Sequence, residues 1–363
     1  MTLINFENNW ILLIFIFTAS LALSYGVNIF LLRYAGHLFK KNLPENTVRF
    51  DTNRKPAMGG ISFFACFLFG IIAYLLFFAY QLQPDRSTII ALLIAVSLGF
   101  VLGLYDDLRN SPVWVKLIAQ LFTSVILISV GISIQLFNIV WLDYFITVLW
   151  VIGIMNSINM LDNMDGITTI VSSFILLAII ILNIIHNTIV SPEFITLLTV
   201  FASLVGFLKF NISPAKMYMG DVGSQFLGVI LAIVGIIYFW NCEDFNSQMV
   251  FTKQIAVSLI AFVLPITDTF TVFYKRIKRG QSPFVGGRDH TTHHLSYIGL
   301  SVKQIDLLFA ILGAISTILI IVILAVIKEW QLYHFFIFIG YFLIVFSSLF
   351  YIANLHKDED VKK

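Results

Sequence analysis

The sequence predicts an all-α, polytopic membrane protein, and three observations carry that prediction. Of its 363 residues, 59% are hydrophobic and only 12% are charged, whereas soluble domains sit nearer one half and one quarter. Apolar runs of about 20 residues, the length that crosses the hydrocarbon core as helix, recur along the chain. The few charges fall between these runs, most of them on alternate loops.

The runs place eleven spans at 10–32, 57–80, 88–105, 113–131, 139–157, 167–185, 194–210, 222–240, 254–274, 305–327 and 334–354. The first run follows no basic leader and is too long for a signal-peptide core, so it reads as an uncleaved span. Neither a soluble domain nor a repeat interrupts the series, and residues 1–363 read as a single transmembrane domain. Lys and Arg set the orientation. Eighteen of the 22 lie in the loops after spans 1, 3, 5, 7 and 9 or in the C-terminal tail, three lie on the other side, and Lys116 sits inside the fourth segment. The N-terminus is therefore expected outside and the C-terminus in the cytoplasm, across an inner (plasma) membrane. A net charge of +2 makes no case for nucleic acid, and Cys66 and Cys242 offer neither a disulfide framework nor a metal-ligand spacing.

The polar clusters fall on the cytoplasmic side, at the ends of different helices. Asp106 and Asp107 close the third span in Gly103-Leu-Tyr-Asp-Asp-Leu-Arg109. Adjacent carboxylates repel, and acids at a helix C-terminus oppose its dipole, so capping does not explain them. An oxygen-rich site for Mg²⁺ and phosphate does; a solvated loop paired with Arg109 is the alternative. Lys116 either snorkels to the same rim as a phosphate-binding cation or marks the interface. Asn156 and Asn159 stand at i and i+3 and share a helix face, while Asp162 and Asp165 fall in a loop broken by Gly166. That segment has no Lys or Arg, which implies a cation or a cationic partner loop. Its alternative is an Asn/Asp-rich turn with Asp165 capping the next helix.

Asp221, in Gly220-Asp-Val-Gly223-Ser224, is either a plain N-cap or part of a ligand site where glycines and a helix N-terminus admit an anion. Arg288-Asp-His290-Thr-Thr-His293-His294 gathers three of the seven histidines; pyrophosphate, a base or a metal would suit them, with Mg²⁺ a better match than zinc to the acids nearby. Lys275 to Arg279 read as positive-inside charge alone. Asn53-Arg54-Lys55-Pro56-Ala-Met-Gly59-Gly60 is an interface turn or a wall for lipid phosphate. Asp268, inside the ninth span, is an intramembrane acid and so a site candidate. A secondary transporter would place polar residues near the midplane, and a membrane scaffold has no use for several separate acid motifs; these are the non-enzyme alternatives.

Taken in order, Pro56-x-x-Gly59-Gly60, Gly103-Leu-Tyr-Asp106-Asp107, Asn156-x-x-Asn159-x-x-Asp162-x-x-Asp165-Gly166, Met219-Gly220-Asp221-x-Gly223-Ser224 and the histidine loop resemble the polyprenyl-phosphate N-acetylhexosamine-1-phosphate transferase superfamily, glycosyltransferase family 4. The resemblance covers nearly the whole chain and is nearer the UDP-GlcNAc:undecaprenyl-phosphate branch. It implies transfer of a sugar-1-phosphate, GlcNAc-1-phosphate foremost, from a UDP-sugar to undecaprenyl phosphate, with release of UMP. Such a step starts a lipid-linked cell-envelope glycan, as in lipopolysaccharide or teichoic acid linkage units. The sister branch, the phospho-MurNAc-pentapeptide transferase of peptidoglycan synthesis, typically has a run of His followed by an acidic segment, and is the alternative.

The resemblance makes Asp106, Asp107, Asp162, Asp165 and Lys116 the expected catalytic set. It makes Asn159 and Asp221 the metal ligands, for Mg²⁺ with Mn²⁺ as substitute. Asn156, Arg288, His290, His293, His294, Gly59 and Gly60 are expected to bind substrate. The implied partners are a UDP-sugar, a polyprenyl phosphate and the bilayer, and a homodimer is left open.

The orientation is testable without substrate. In a background lacking Cys66 and Cys242, cysteines at Ser111, Ser213 and Ser282 are expected to react with impermeant thiol reagents only from the cytoplasmic side, and one at Asn246 only from outside. One reversed site would break the single-rim arrangement, since groups on opposite faces cannot meet across ~30 Å of hydrocarbon.

Overall fold

A computed structural model describes residues 6–35, 55–78, 86–243, 247–282 and 287–355. Asn53, Arg54, the rest of the basic loop before them and the C-terminal tail lie outside the described residues. Among the described residues the chain is helical, and its two β-bridges, Ala57 with Tyr218 and Glu243 with Met249, are isolated. The helices are α1 (Phe6–Phe30), α2 (Gly60–Phe77), α3 (Arg86–Arg109), α4 (Val113–Ser129), α5 (Val140–Leu161), α6 (Ile167–Ile185), α7 (Pro192–Asn211), α8 (Gly220–Val234), α9 (Phe251–Ala261), α10 (Val263–Lys278), α11 (Thr291–Tyr297), α12 (Val302–Ile321) and α13 (Leu332–Leu355).

Helix forms at all eleven expected positions, but not as eleven equal spans. Among the described residues, nine helices are long and apolar enough to cross a membrane by themselves, which makes this a multi-pass membrane protein. The fourth segment, α4, is shorter at 17 residues. The ninth is not continuous: α9 and α10 meet at a 76° bend. Pro265 explains the break, because it has no N–H and its ring clashes with the carbonyl four residues earlier. Large apolar side chains such as Ile11, Phe15, Ile72 and Leu75 remain on the outside of the bundle, facing where lipid would be.

The centre is α8, of whose apolar window 89% is buried. It can be surrounded because small residues let neighbouring backbones approach. A β-carbon on Gly103 of α3 would stand 2.2 Å from the Asp221 carbonyl oxygen, and one on Gly60 of α2 would stand 2.2 Å from the Gly223 nitrogen. A β-carbon on Gly228 would stand 2.7 Å from Cα of Met155 on α5. Buried hydroxyls and amides add cross-links. Ser24 donates to the Ser203 carbonyl at 2.9 Å, Asn28 to Ser62 at 3.1 Å, and Thr169 to Asn211 at 2.7 Å. Bonds of this kind hold helices together where the hydrophobic effect cannot.

Gly103→Ala is expected to lower the thermal midpoint of the detergent-purified protein, since overpacking typically costs about 1–3 kcal/mol. Gly153→Ala, with nothing within 4 Å of the new methyl, is expected to leave it unchanged. Equal midpoints for the two variants would remove the α3–α8 contact from its central place.

Candidate active site

The last turn of α3 lies against the first turn of α8, and the site is built on that junction. Asp107 Oδ2 accepts from the Val222 backbone N–H at 2.9 Å, so an acid at one helix's C-terminus satisfies a donor at another's N-terminus. Asp106 is held from the other side. Its Oδ1 accepts from the Ser111 N–H at 2.7 Å and the Ser111 hydroxyl at 2.6 Å, and Lys116 pairs with its Oδ2 at 2.5 Å. The Asp221 carboxyl stands beside that of Asp106 and acts on its ionisation. Asn159, on the last turn of α5, donates to Asp221 Oδ1 and to Ser224 Oγ, both at 2.8 Å. Asp106, Asp107, Lys116, Asn159 and Asp221 thus meet at one rim, from four helices. Arg109 is not the partner of Asp106, and Asp221 is not a plain N-cap: Met219 holds the N-cap position.

Two carboxylates in contact are stable only if a proton or a cation lies between them. Among the described residues, no three His, Cys, Asp or Glu side chains form a ready-made metal cage. Mg²⁺ does not need one, since it is commonly held by one or two carboxylates with waters and substrate phosphates completing the octahedron. Asp221 and Asp106, with the Asn159 amide, are such a partial donor set.

One turn deeper lies a second tier, of which the sequence singled out Asn156 but not Gln120 or Gln225. Gln120 stands four residues after Lys116, Asn156 three before Asn159, and Gln225 four after Asp221. Asn156 donates to Gln120 Oε1 at 2.9 Å, and Gln120 donates back to Asn156 at 3.3 Å and to Gln225 at 3.4 Å. Gln120 and Gln225 are fully buried. Asn156 therefore braces helices beneath the rim in this structure. An amide within an apolar run gave warning, but its partners lie 36 and 105 residues away.

Asp162 is the C-cap of α5, where the helix stops as expected. Asp165 does not cap α6. Gly166 takes that position with φ of +76°, and Asp165 Oδ2 instead accepts from Ala215 N–H at 2.8 Å, with Lys55 3.9 Å away. Lys55 also lies over the Tyr218 ring, 5.3 Å from its centroid, so a cation, an aromatic face and an acid stand together beside the acid junction. Asp306 of α12 packs on Gly166. Tyr218 and Asp306 are further residues the sequence did not single out.

Gly59 and Gly60, expected to bind substrate, also serve packing. Both are buried, their N–H groups donate to the Tyr218 and Met219 carbonyls at 3.0 Å, and a β-carbon on Gly59 would stand 2.2 Å from the Phe207 ring.

The histidine segment folds as α11, and its anchors are buried. Asp268 accepts from His290 Nδ1 at 2.8 Å and from the Thr291 N–H and hydroxyl at 2.8 and 2.7 Å. The intramembrane acid thus orients His290, leaving Nε2 for other work. His294 accepts at Nε2 from Lys275 at 2.8 Å, and the same ammonium donates to the Ala353 carbonyl at 2.6 Å. Arg276 makes a bidentate pair with Asp289 at 2.8 and 3.0 Å, joined by Arg279 at 3.1 Å. Lys275, Arg276 and Arg279 therefore do more than carry the charge expected of a positive-inside loop. Burial would raise the Asp289 carboxyl, but the hydrogen bonds and charge of Arg276 outweigh it and hold it below the usual range. Burial, reinforced by the His290 charge, pushes His293 down to about 3. Thr292 donates to Asn163, tying α11 to the Asp162–Asp165 loop. Arg288 is half-buried, with its carbonyl accepting from the Tyr297 hydroxyl.

His293 yields a prediction. Its folded pKa lies below the unfolded value, so the unfolded state takes up the proton first and stability falls as pH drops from about 6.5 toward 3. Between pH 6.5 and 5 the loss is expected to be about 2 kcal/mol. Thermal melts of wild type and His293→Asn across that range test it; parallel slopes would refute it.

Comparison with known proteins agrees with this geometry. The sequence profile described as "Glycosyl transferase family 4" matches residues 89–239, which hold both helices of the acid junction. A probable undecaprenyl-phosphate N-acetylglucosaminyl 1-phosphate transferase of Bacillus subtilis is 29% identical over 277 residues, covering 74% of this chain and 73% of that protein. A phospho-N-acetylmuramoyl-pentapeptide-transferase of Lacticaseibacillus paracasei is 30% identical over 287 residues, covering 72% and 82%. One of the same description from Staphylococcus saprophyticus is 29% identical, also over 287 residues, with the same coverage. With its acids gathered at one rim of a membrane bundle, the chain belongs to glycosyl transferase family 4 and is a transferase.

Proposed function

We propose that this protein moves an N-acetylhexosamine-1-phosphate, with GlcNAc as the sugar, from a UDP-sugar to undecaprenyl phosphate at the cytoplasmic membrane face, releasing UMP and starting a cell-envelope glycan. The observation that carries the reading is the junction of Asp106, Asp107 and Asp221 with Asn159 and Lys116 at the end of a lipid-embedded bundle. A water-soluble donor and a lipid acceptor can meet only at such a boundary. Both kinds of relative are named for moving an N-acetylated sugar, one of them onto undecaprenyl phosphate. The loop Arg288–His294 resembles the simple-sugar branch, which favours GlcNAc over the muramoyl pentapeptide.

The reaction exchanges one phosphoanhydride for another: an acceptor phosphate oxygen attacks the donor's β-phosphorus, and the bond to UMP breaks. A phosphate monoester is largely dianionic at neutral pH, so it needs little help from a base. The difficulty is bringing two anions into line. Lys116 offers a cation at the rim, and the N-terminus of α8 favours negative charge. Asp106 holds Lys116 in place, and Asp107 fixes α8. Asp221, Asp106 and Asn159 would hold Mg²⁺, which when bound neutralises phosphate charge and supplies a template for alignment. His290, oriented by Asp268, and Arg288 face the pyrophosphate and sugar in this reading, while His294 acts through packing.

Purified protein, undecaprenyl phosphate and Mg²⁺ are expected to release UMP from UDP-GlcNAc, poorly from UDP-glucose, and not at all in excess EDTA. Asp107→Asn and Asp221→Asn are each expected to lower turnover at least about a hundredfold while still inserting in the membrane. Release from UDP-MurNAc-pentapeptide but not from UDP-GlcNAc would move the chain to the other branch.

A further inference from the structure

At the end of the bundle away from the acid junction, α2, α3, α7 and α8 part around an open-sided cleft. Its walls are almost wholly apolar, including Phe67, Leu92 and Ile233, but one end is polar. There Glu193, in the first turn of α7, lines the cleft together with Tyr74 and Tyr238. Tyr74 is different. Its side chain is only 1% exposed, and among the described residues its hydroxyl has no hydrogen-bond partner. A buried hydroxyl left in this way costs about 1–3 kcal/mol, unless something in the cleft accepts from it.

Position along the helices says what that could be. Tyr74 lies about 20 Å along α2 from Gly60, so the polar end of the cleft is at the membrane interface opposite the acid junction, and its apolar walls run back toward the midplane. The flanking surfaces of α2 and α3 carry the exposed Ile72, Leu75, Ile90 and Ile94, so lipid reaches it from the side. We propose that the cleft binds one acyl chain of a membrane phospholipid, whose ester carbonyl accepts from the Tyr74 hydroxyl. An isoprenoid tail would fill the same walls but offers no acceptor at that depth. The bound chain braces the packed pair α2–α7 against the packed pair α3–α8.

The test uses the full-length protein in detergent with a phospholipid carrying a photoactivatable group in its acyl chain. Label is expected on peptides of α2, α3, α7 and α8. Leu92→Trp, which fills the cleft, is expected to reduce it about tenfold. Tyr74→Phe, which keeps the shape and removes only the hydroxyl, is expected to reduce it about fivefold and decides the matter if the tryptophan variant fails to fold. A photoactivatable isoprenyl phosphate is the second arm. Labelling of the same peptides by that probe, indifferent to Tyr74→Phe, would give the cleft to the acceptor tail and overturn the proposal. Phospholipid label spread evenly over the lipid-facing helices would overturn it too. Neither arm contains a nucleotide sugar, so the result stands apart from the transfer reaction.

Discussion

Gathering like charges at the edge of a bilayer opposes itself, since each carboxylate repels the next and loses hydration as helices close around it. The contact between α3 and α8 meets this in three ways. Gly103 lets the backbones come together, Asp107 spends its charge on an α8 backbone donor, and Lys116 and Ser111 take up Asp106. Asp221, held by the Asn159 amide, stands beside Asp106, and two carboxylates so placed suit the site to a cation. The central burial of α8 and the glycines along it follow from the same need: the helix that carries Asp221 must be approachable from several sides.

Much of this was legible in the sequence, for reasons that differ by residue. Asp106 with Asp107, and Asn159 with Asp221, stood out because acids and amides at the ends of apolar runs have no packing explanation. The end of α5 before Asp162 followed from helical geometry and from Gly166. The bend between α9 and α10 was readable too, since Pro265 stands within the ninth run, but a hydropathy window averages across a proline and cannot register it.

Other features could not be read because they depend on which helices become neighbours. Gln120 and Gln225 each look like an isolated polar residue, and nothing in either segment identifies the other as its partner. Lys275 and Arg276 entered the sequence reading as orientation charges, yet a charge count does not distinguish a lysine in water from one buried against His294. Gly59 and Gly60 carry a different ambiguity: a glycine pair suits a phosphate wall and a helix crossing equally well, and the closeness of Gly223 and Phe207 comes only from the fold.

The contact between Lys275 and the Ala353 carbonyl bears on how the molecule is made. The two residues are 78 positions apart, so the ribosome delivers α10 and the histidine helix well before it delivers the helix that completes their packing. Until α13 has been inserted, the Lys275 ammonium lacks that acceptor, and the surroundings of His294 are unfinished. The histidine segment is therefore assembled late in biogenesis, after the acid junction between α3 and α8 already has all its members in the membrane. A nascent chain stalled before α13 would hold the carboxylates in place and still lack a settled partner for them across the rim.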